Sequence, residues 1–180
     1  MLMAISGNTV VLQNNGGDNL SISSNGASLF ATALDDQSTY LVTVLTQPTS
    51  PNQTCVLTNP SGTIAGADVT DITLTCTTTT YFVGGTVSGL VNSSNEFTLD
   101  INGQETELIK CNGPFVFNTP LDDLTPYSVS VITNPQSPVQ QCNVTFDQGT
   151  INGDDVIDVV VTCDATTDTD YIFGEGFECS

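Results

Sequence analysis

The sequence predicts an all-β protein built from two tandem copies of one sandwich domain, followed by a short C-terminal tail. Three observations predict it: an internal duplication, a period-two alternation of apolar residues, and clusters of turn-forming residues about every ten positions. The duplication is read by laying the chain on itself at an interval of 87 residues. "IAGADVTDITLTC" (residues 64–76) then falls on "INGDDVIDVVVTC" (residues 151–163), Asn25-Gly26 on Asn112-Gly113, Phe30 on Phe117, Leu34 on Leu121, and Tyr40 on Tyr127. Cys55 falls on Cys142 and Cys76 on Cys163, with no gap between Ser21 and Cys76. A repeat of this length is one domain, large enough to bury a modest core and small enough to benefit from a covalent staple.

Alternation assigns the elements. In "TYLVTVLT" (residues 39–46) Tyr40, Val42 and Val44 share one face, and in "YSVSVIT" Tyr127, Val129 and Val131 do the same. No window carries a helical stripe. In the second copy strands are predicted over residues 85–90, 96–101, 105–110, 115–118, 127–133, 141–146 and 156–163. Seven short antiparallel strands make a sandwich. The predicted organisation is a first sandwich at residues 1–76, a linker at 77–81, a second sandwich at 82–163, and an acidic spacer and tail at 164–180. So short a join, "TTTTYFVGG", predicts two Ig-like sandwiches arranged end to end.

The cysteines carry the next step. Six cysteines without a C-x2-C pair, in a chain with no histidine, do not read as a zinc site. Cys55 and Cys76 recur as Cys142 and Cys163, as one disulfide inside each copy would. Asn152-Gly153, a favoured two-residue hairpin turn, lies midway between Cys142 and Cys163, and Ala65-Gly66 lies midway between Cys55 and Cys76. Counting outward from the turn sets the cysteines opposite each other in a non-hydrogen-bonded pair, where Cα atoms come closest. Closing a loop of about 20 residues stabilises a domain by roughly 3 kcal/mol on the chain-entropy account, and implies an oxidising compartment. Two buried free thiols at equivalent core positions are the other reading. Cys111 and Cys179 have no counterparts in the first copy, where Ser24 stands in place of Cys111. They can bond to each other or to a neighbouring molecule.

The first copy begins with an abbreviated strand. "MAISGNTVVLQNNGG" parallels "TVSGL" and "EFTLDING", but nothing matches residues 81–85. An incomplete sandwich leaves a sheet edge that a strand from another molecule can fill. The tail "DYIFGEGFECS", with Tyr171, Ile172, Phe173 and Phe177, belongs to neither copy and is the candidate donor. A tail folded on its own domain is the alternative.

Composition removes several function classes. One Lys, no Arg and no His against 20 Asp and Glu give a net charge of −19. Such a surface repels nucleic-acid phosphates and anionic membranes, so neither is an expected partner. "MLMAISG" has neither the basic start nor the apolar core of a signal peptide, and no run approaches the length of a spanning helix, so membrane insertion is not expected. Without histidine the usual nucleophilic triad lacks its base, and Lys110 lies in an alternating strand. The pairs Asp35-Asp36, Asp122-Asp123 and Asp154-Asp155 fall in predicted turns, where Asp is common for local hydrogen bonding. No catalytic residue is assigned. Acidic turns can instead hold calcium through carboxylate and carbonyl oxygens, and Asp18, Asp154, Asp155 and Asp158 are the weak candidates, none matching the EF-hand spacing. No other cofactor is implied. The sequons at Asn19, Asn52, Asn92 and Asn143 are what chance yields in a chain so rich in Asn, Ser and Thr.

"NGPFVFNTPLDDLTPYSVSV" (residues 112–131) brings a resemblance into view. An Asn-Gly turn, a Phe-x-Phe strand, a Leu before a short loop and then Tyr-x-Val-x-Val resembles the Cna-B-like and carboxypeptidase-regulatory-like, or transthyretin-like, sandwiches of secreted bacterial surface proteins. "NGASLFATALDDQSTYLVTV" in the first copy is a looser version, and "VGGTVSGL" is similar to the opening strand of those domains. The resemblance implies an extracellular structural or adhesive module. It departs at one point: many Cna-B-like domains are locked by Lys-Asn isopeptide bonds, and the single lysine here is Lys110. "IFGEGFE" also resembles a short C-terminal signature of large secreted bacterial proteins.

The expected function is therefore an extracellular or cell-surface structural protein and not an enzyme: a filament or pilus-like subunit, or a rod-like stalk. Its expected partner is itself, head to tail, by strand exchange between the tail and the first domain. The alternative is a calcium- or glycan-binding accessory module of a larger secreted enzyme or adhesin. The absence of Trp, with Tyr40 and Tyr127 assigned to the core, weighs against a sugar platform.

Overall fold

A computed structural model describes residues 9–91 and 95–165. They are all-β, with no helix among them, and none long and apolar enough to cross a membrane. The chain divides into two compact units, Met1–Thr79 and Thr80–Ser180.

In the first unit β1 (Val10–Asn14), β2 (Asp18–Ile22), β3 (Thr39–Thr46) and β5 (Ser61–Thr63) form one sheet in the order β2-β1-β3-β5. β4 (Gln53–Thr58) and β6 (Thr73–Thr78) pair as a two-stranded sheet. Alternate residues turn inward, as period two requires: Val10, Leu12, Ile22, Val42, Cys55, Leu74 and Cys76 make the buried core. Phe30, Tyr40, Val44 and Ile72 pack half-buried around it.

Among the described residues the second unit is the fuller version. β7 (Thr80–Tyr81) pairs with β12 (Leu121–Asp122). β9 (Phe97–Ile101), β10 (Glu105–Ile109), β13 (Pro126–Thr133) and β15 (Gln148–Thr150) form a sheet in the order β10-β9-β13-β15. β8 (Val83–Ser88), β11 (Gly113–Val116), β14 (Gln140–Thr145) and β16 (Val156–Ala165) form the other, in the order β11-β8-β16-β14. Between the sheets lie Phe97, Leu99, Ile101, Val129, Val159 and Val161, closed by Leu90, Phe117 and Ile151.

The repeat holds at the level of the backbone. Positive φ recurs at the repeat interval in Asn15 and Asn102, Gln37 and Leu124, and Asn59 and Phe146. Both copies carry a cis proline at the same place, Pro51 and Pro138. Asn15 and Asn102 do the same work in each unit: the side-chain oxygen accepts from the N–H of Leu41 or Ser128, while the amide donates to the carbonyl of Thr39 or Pro126.

Three expectations need correction. β8 and β16 run parallel, with Val87 beside Val161 and Ser88 beside Thr162, so the second sandwich is not wholly antiparallel. Alternation reports which face a side chain takes and says nothing of its neighbour's direction. The cysteines do pair in the predicted register, but Asn152-Gly153 is not a hairpin turn joining their strands. β15 intervenes and crosses to the other sheet to pair with β13. Residues 77–81, expected as a linker, are taken up by strands: Thr77 and Thr78 belong to β6, Thr79 N–H donates to Asn52 O at 2.9 Å, and Thr80 and Tyr81 form β7.

Candidate functional site

The feature that sets the units apart is the strand beside β6. In the second unit β16 has β14 on one side and β8 on the other. In the first unit β6 has β4 on one side, and among the described residues its other edge carries no strand. The consequence reaches along the chain. β16 is a strand from Val156, although β14 pairs with it only from Val160 onward, because β8 holds its first half. Its counterpart β6 starts at Thr73, and residues 69–72 are irregular.

The apolar lining follows the same pattern. Phe117, Ile151 and Val159 are fully buried in the second unit. Their counterparts Phe30, Ile64 and Ile72 are half-buried. A patch of apolar surface therefore flanks the irregular stretch before β6, where the second unit has β8 and β11.

The edge itself is stapled and neutral. Cys55–Cys76 closes across β4 and β6 with Cα atoms 3.9 Å apart, and Cys142–Cys163 repeats it at 3.9 Å. That approach belongs to non-hydrogen-bonded antiparallel pairs. Leu74 and Cys76 therefore aim their N–H groups at the outer edge, and Thr75 and Thr77 aim theirs at β4. Cys111 is disulfide-bonded as well. β6 reads Thr-Leu-Thr-Cys-Thr-Thr, without charge or proline, the two commonest protections of an exposed edge.

The other singled-out residues do not converge on chemistry. Asp18 accepts from Thr32 N–H at 2.9 Å and Asp155 from Phe82 N–H at 2.8 Å, while Asp154 accepts from Asp155 N–H at 2.9 Å. These are backbone caps. Among the described residues no three His, Cys, Asp or Glu side chains gather to hold a metal ion. Asp158 and Asp147 bear on Tyr127, whose phenol is pushed up first by burial and then by those two charges. A shallow groove of about 590 Å³ runs past Asn102, Gln104, Tyr127 and Gln148, but Tyr127 is 8% exposed and offers no ring to stack a sugar on. Lys110 lies 3.9 Å from Glu96 with both side chains exposed, an ordinary surface pair. Tyr171, Ile172, Phe173, Phe177 and Cys179 lie outside the described residues.

Sequence reasoning missed the pair Gln53 and Gln140, which sit at equivalent buried positions. Gln140 donates to Gly89 O at 2.8 Å and accepts from Val91 N–H at 3.1 Å, clamping the chain as it leaves β8. A polar residue recurring at the repeat interval beside the cysteines was the available signal.

No known protein family matches the sequence, and no curated protein is detectably similar to it. Among solved structures the chain is similar to a pilus adhesin, SpaC from Lactobacillus rhamnosus GG, at 16% identity and a TM-score of 0.31. The match covers 87% of this chain and 28% of that one. At that TM-score the likeness carries no argument about function.

Proposed function

We propose that the protein is an extracellular structural subunit of a surface appendage, a filament subunit or stalk segment, that associates head to tail with copies of itself. In this reading the tail of one copy, with Tyr171, Ile172, Phe173 and Phe177, adds as a strand to the first unit of the next. The observation that carries it is the outer edge of β6, neutral and without a strand among the described residues, next to the half-buried Phe30, Ile64 and Ile72. Main-chain pairing along such an edge supplies affinity, and apolar pockets supply selectivity. A contact that joins different surfaces on each copy does not close on itself, so it builds open fibres. The disulfides in both units fit an oxidising, extracellular or cell-surface setting.

Electron microscopy of the non-reduced protein, with and without residues 170–180, tests this. Filaments that disappear on truncation are the expected result. Uniform single particles in both samples would refute strand exchange by the tail.

A further inference from the structure

The geometry points to Asn152 as a self-modifying site, whose side-chain amide is displaced by the backbone nitrogen of Gly153 with the carboxylate of Asp123 as general base. Five Asn-Gly pairs occur in the chain, and in each the glycine nitrogen can close a five-membered ring on the asparagine Cγ without a side chain in the way. Three of the five are shielded. Asn15 and Asn102 commit both ends of the side chain to the strand across from them, Asn15 to Leu41 N–H and Thr39 O, and Asn102 to Ser128 N–H and Pro126 O. Asn112 accepts from Leu90 N–H and donates to Leu90 O, both at 2.8 Å. A Cγ held outward by two hydrogen bonds cannot swing back onto its own main chain. Asn25 is exposed, but no carboxylate among the described residues accepts from Gly26 N–H.

Asn152 differs from all four. It is exposed, as is Gly153, and its side chain makes no hydrogen bond among the described residues. Gly153 N–H donates to Asp123 Oδ1 at 2.8 Å, and Asp123 is only 6% exposed. The two segments are pinned together beside that bond, because Leu124 N–H donates to Ile151 O at 3.0 Å and Ile151 N–H to Thr125 O at 2.9 Å. A main-chain N–H bonded to a carbonyl is only restrained. One bonded to a carboxylate faces an oxygen that can take its proton, at the reach a general base needs. The step balances with no reagent beyond water. The bond from Gly153 N to Asn152 Cγ forms as the proton passes to Asp123, the Cγ–Nδ2 bond breaks, and ammonia leaves with that proton. Water then opens the ring at either carbonyl, giving aspartate or isoaspartate. Each product sets a second carboxylate near the buried Asp123, where like charges weaken the hold on Gly153. The first copy carries a natural control: Gly66 N–H donates to Asp36 Oδ1 at 2.7 Å on the same framework, but Ala65 stands in place of Asn152. This assignment does not rest on the filament reading.

Holding the non-reduced chain in mildly alkaline buffer and mapping its peptides by mass spectrometry tests it. Asn152 should convert about tenfold or more faster than Asn15, Asn102 and Asn112. Asp123→Asn keeps an acceptor for Gly153 N–H but removes the base, so it should slow Asn152 by about tenfold or more and leave Asn25 unchanged. A smaller lead of Asn152 over the three shielded residues would overturn the assignment. So would a rate at Asn152 that Asp123→Asn leaves unchanged, or raises at that residue alone. If the variant speeds Asn102 and Asn112 as well, its unit has opened, and Ala65→Asn in the otherwise unaltered chain decides. Conversion at position 65 about tenfold or more faster than at Asn15 upholds the reading, and a smaller difference overturns it.

Discussion

Replacing Asn14 with valine should stabilise the first unit. Asn14 closes β1 at 7% exposure, opposite Val42 on β3, in the position that Ile101 fills at 3% in the other copy. Its Oδ1 is buried and meets no hydrogen-bond donor among the described residues. A buried acceptor left unmet costs about 1–3 kcal/mol, and valine removes it while adding a β-branched side chain suited to a strand. Valine is also less bulky than isoleucine, which limits overpacking in a small core. A net gain of about 1–2 kcal/mol raises Tm by about 4–15 °C in a domain of this size. The assay is calorimetry of the non-reduced chain, in which the units are expected to melt separately. Among the described residues the first unit buries seven core residues where the second buries fifteen, so the lower transition belongs to it. Leu99→Ala, fully buried in the second unit, serves as the control that lowers the other transition by about 2–5 kcal/mol. A lower transition that stays in place or falls with Asn14→Val would refute the reasoning, because it would mean that the amide oxygen is satisfied in solution.

Three further outcomes are expected. Replacing Cys142 and Cys163 together by alanine should cost the second unit about 3 kcal/mol, read from urea unfolding; a loss under about 1 kcal/mol would show that strand pairing alone restrains that loop. Gly85→Ala should cost about 3 kcal/mol or more, because a Cβ there collides with the carbonyl oxygen of Val159, whereas the exposed neighbour Thr86→Ala should change stability by under about 0.5 kcal/mol. At Glu105 burial pushes the carboxyl upward, but the N–H groups of Asn118 and Thr119, donating at 2.7 and 2.8 Å, outweigh it and hold the pKa below the usual 4.5. A lowered folded value means stability that is present above the unfolded value and lost as pH falls through the folded one, so Glu105→Gln should flatten the acid limb of an unfolding curve taken from pH 6 downward.

What could be read from the chain was whatever the repeat or the two-residue period encodes. Tyr40, Val42 and Val44 face the core as alternation required, and the pairing of Cys55 with Cys76 followed from its recurrence. The direction of β8 against β16 was not readable, because alternation gives the same inward face whether the neighbouring strand runs with it or against it. β7, β12 and β15, of two or three residues each, are too short for a period to show. Leu124 and Phe146 sit at φ 63° and 54°, where Gln37 and Asn59 stand in the first copy. Bulky residues seldom adopt that conformation, so the identity of neither residue announced it. The half-burial of Phe30 and Ile72 was also hidden, since it comes from strands placed around those residues and not from the residues themselves.

The edges of the two units explain why β6 matters more than the count of strands does. The outer edges of β2, β4, β5, β10, β11, β14 and β15 are managed. At the centre of β4 the Gln47 side chain accepts from Cys55 N–H at 2.8 Å and donates to its carbonyl at 3.1 Å, and on β14 Asn134 accepts from Cys142 N–H at 2.9 Å. On β2 and β10 the carboxylates of Asp18 and Glu105 hold the following loops by their N–H groups. β5 and β15 are three residues long, and β11 carries Pro114. Charge, proline, brevity and a covering side chain are the means by which sheets avoid pairing with strangers. β6 has six neutral residues and none of these. Such an edge, unguarded among the described residues, is explained if a strand is meant to lie there. Where another copy's tail supplies that strand, as proposed above, the first unit gains stability from the pairing. A unit that is stabilised by adding a strand couples its own folding to assembly.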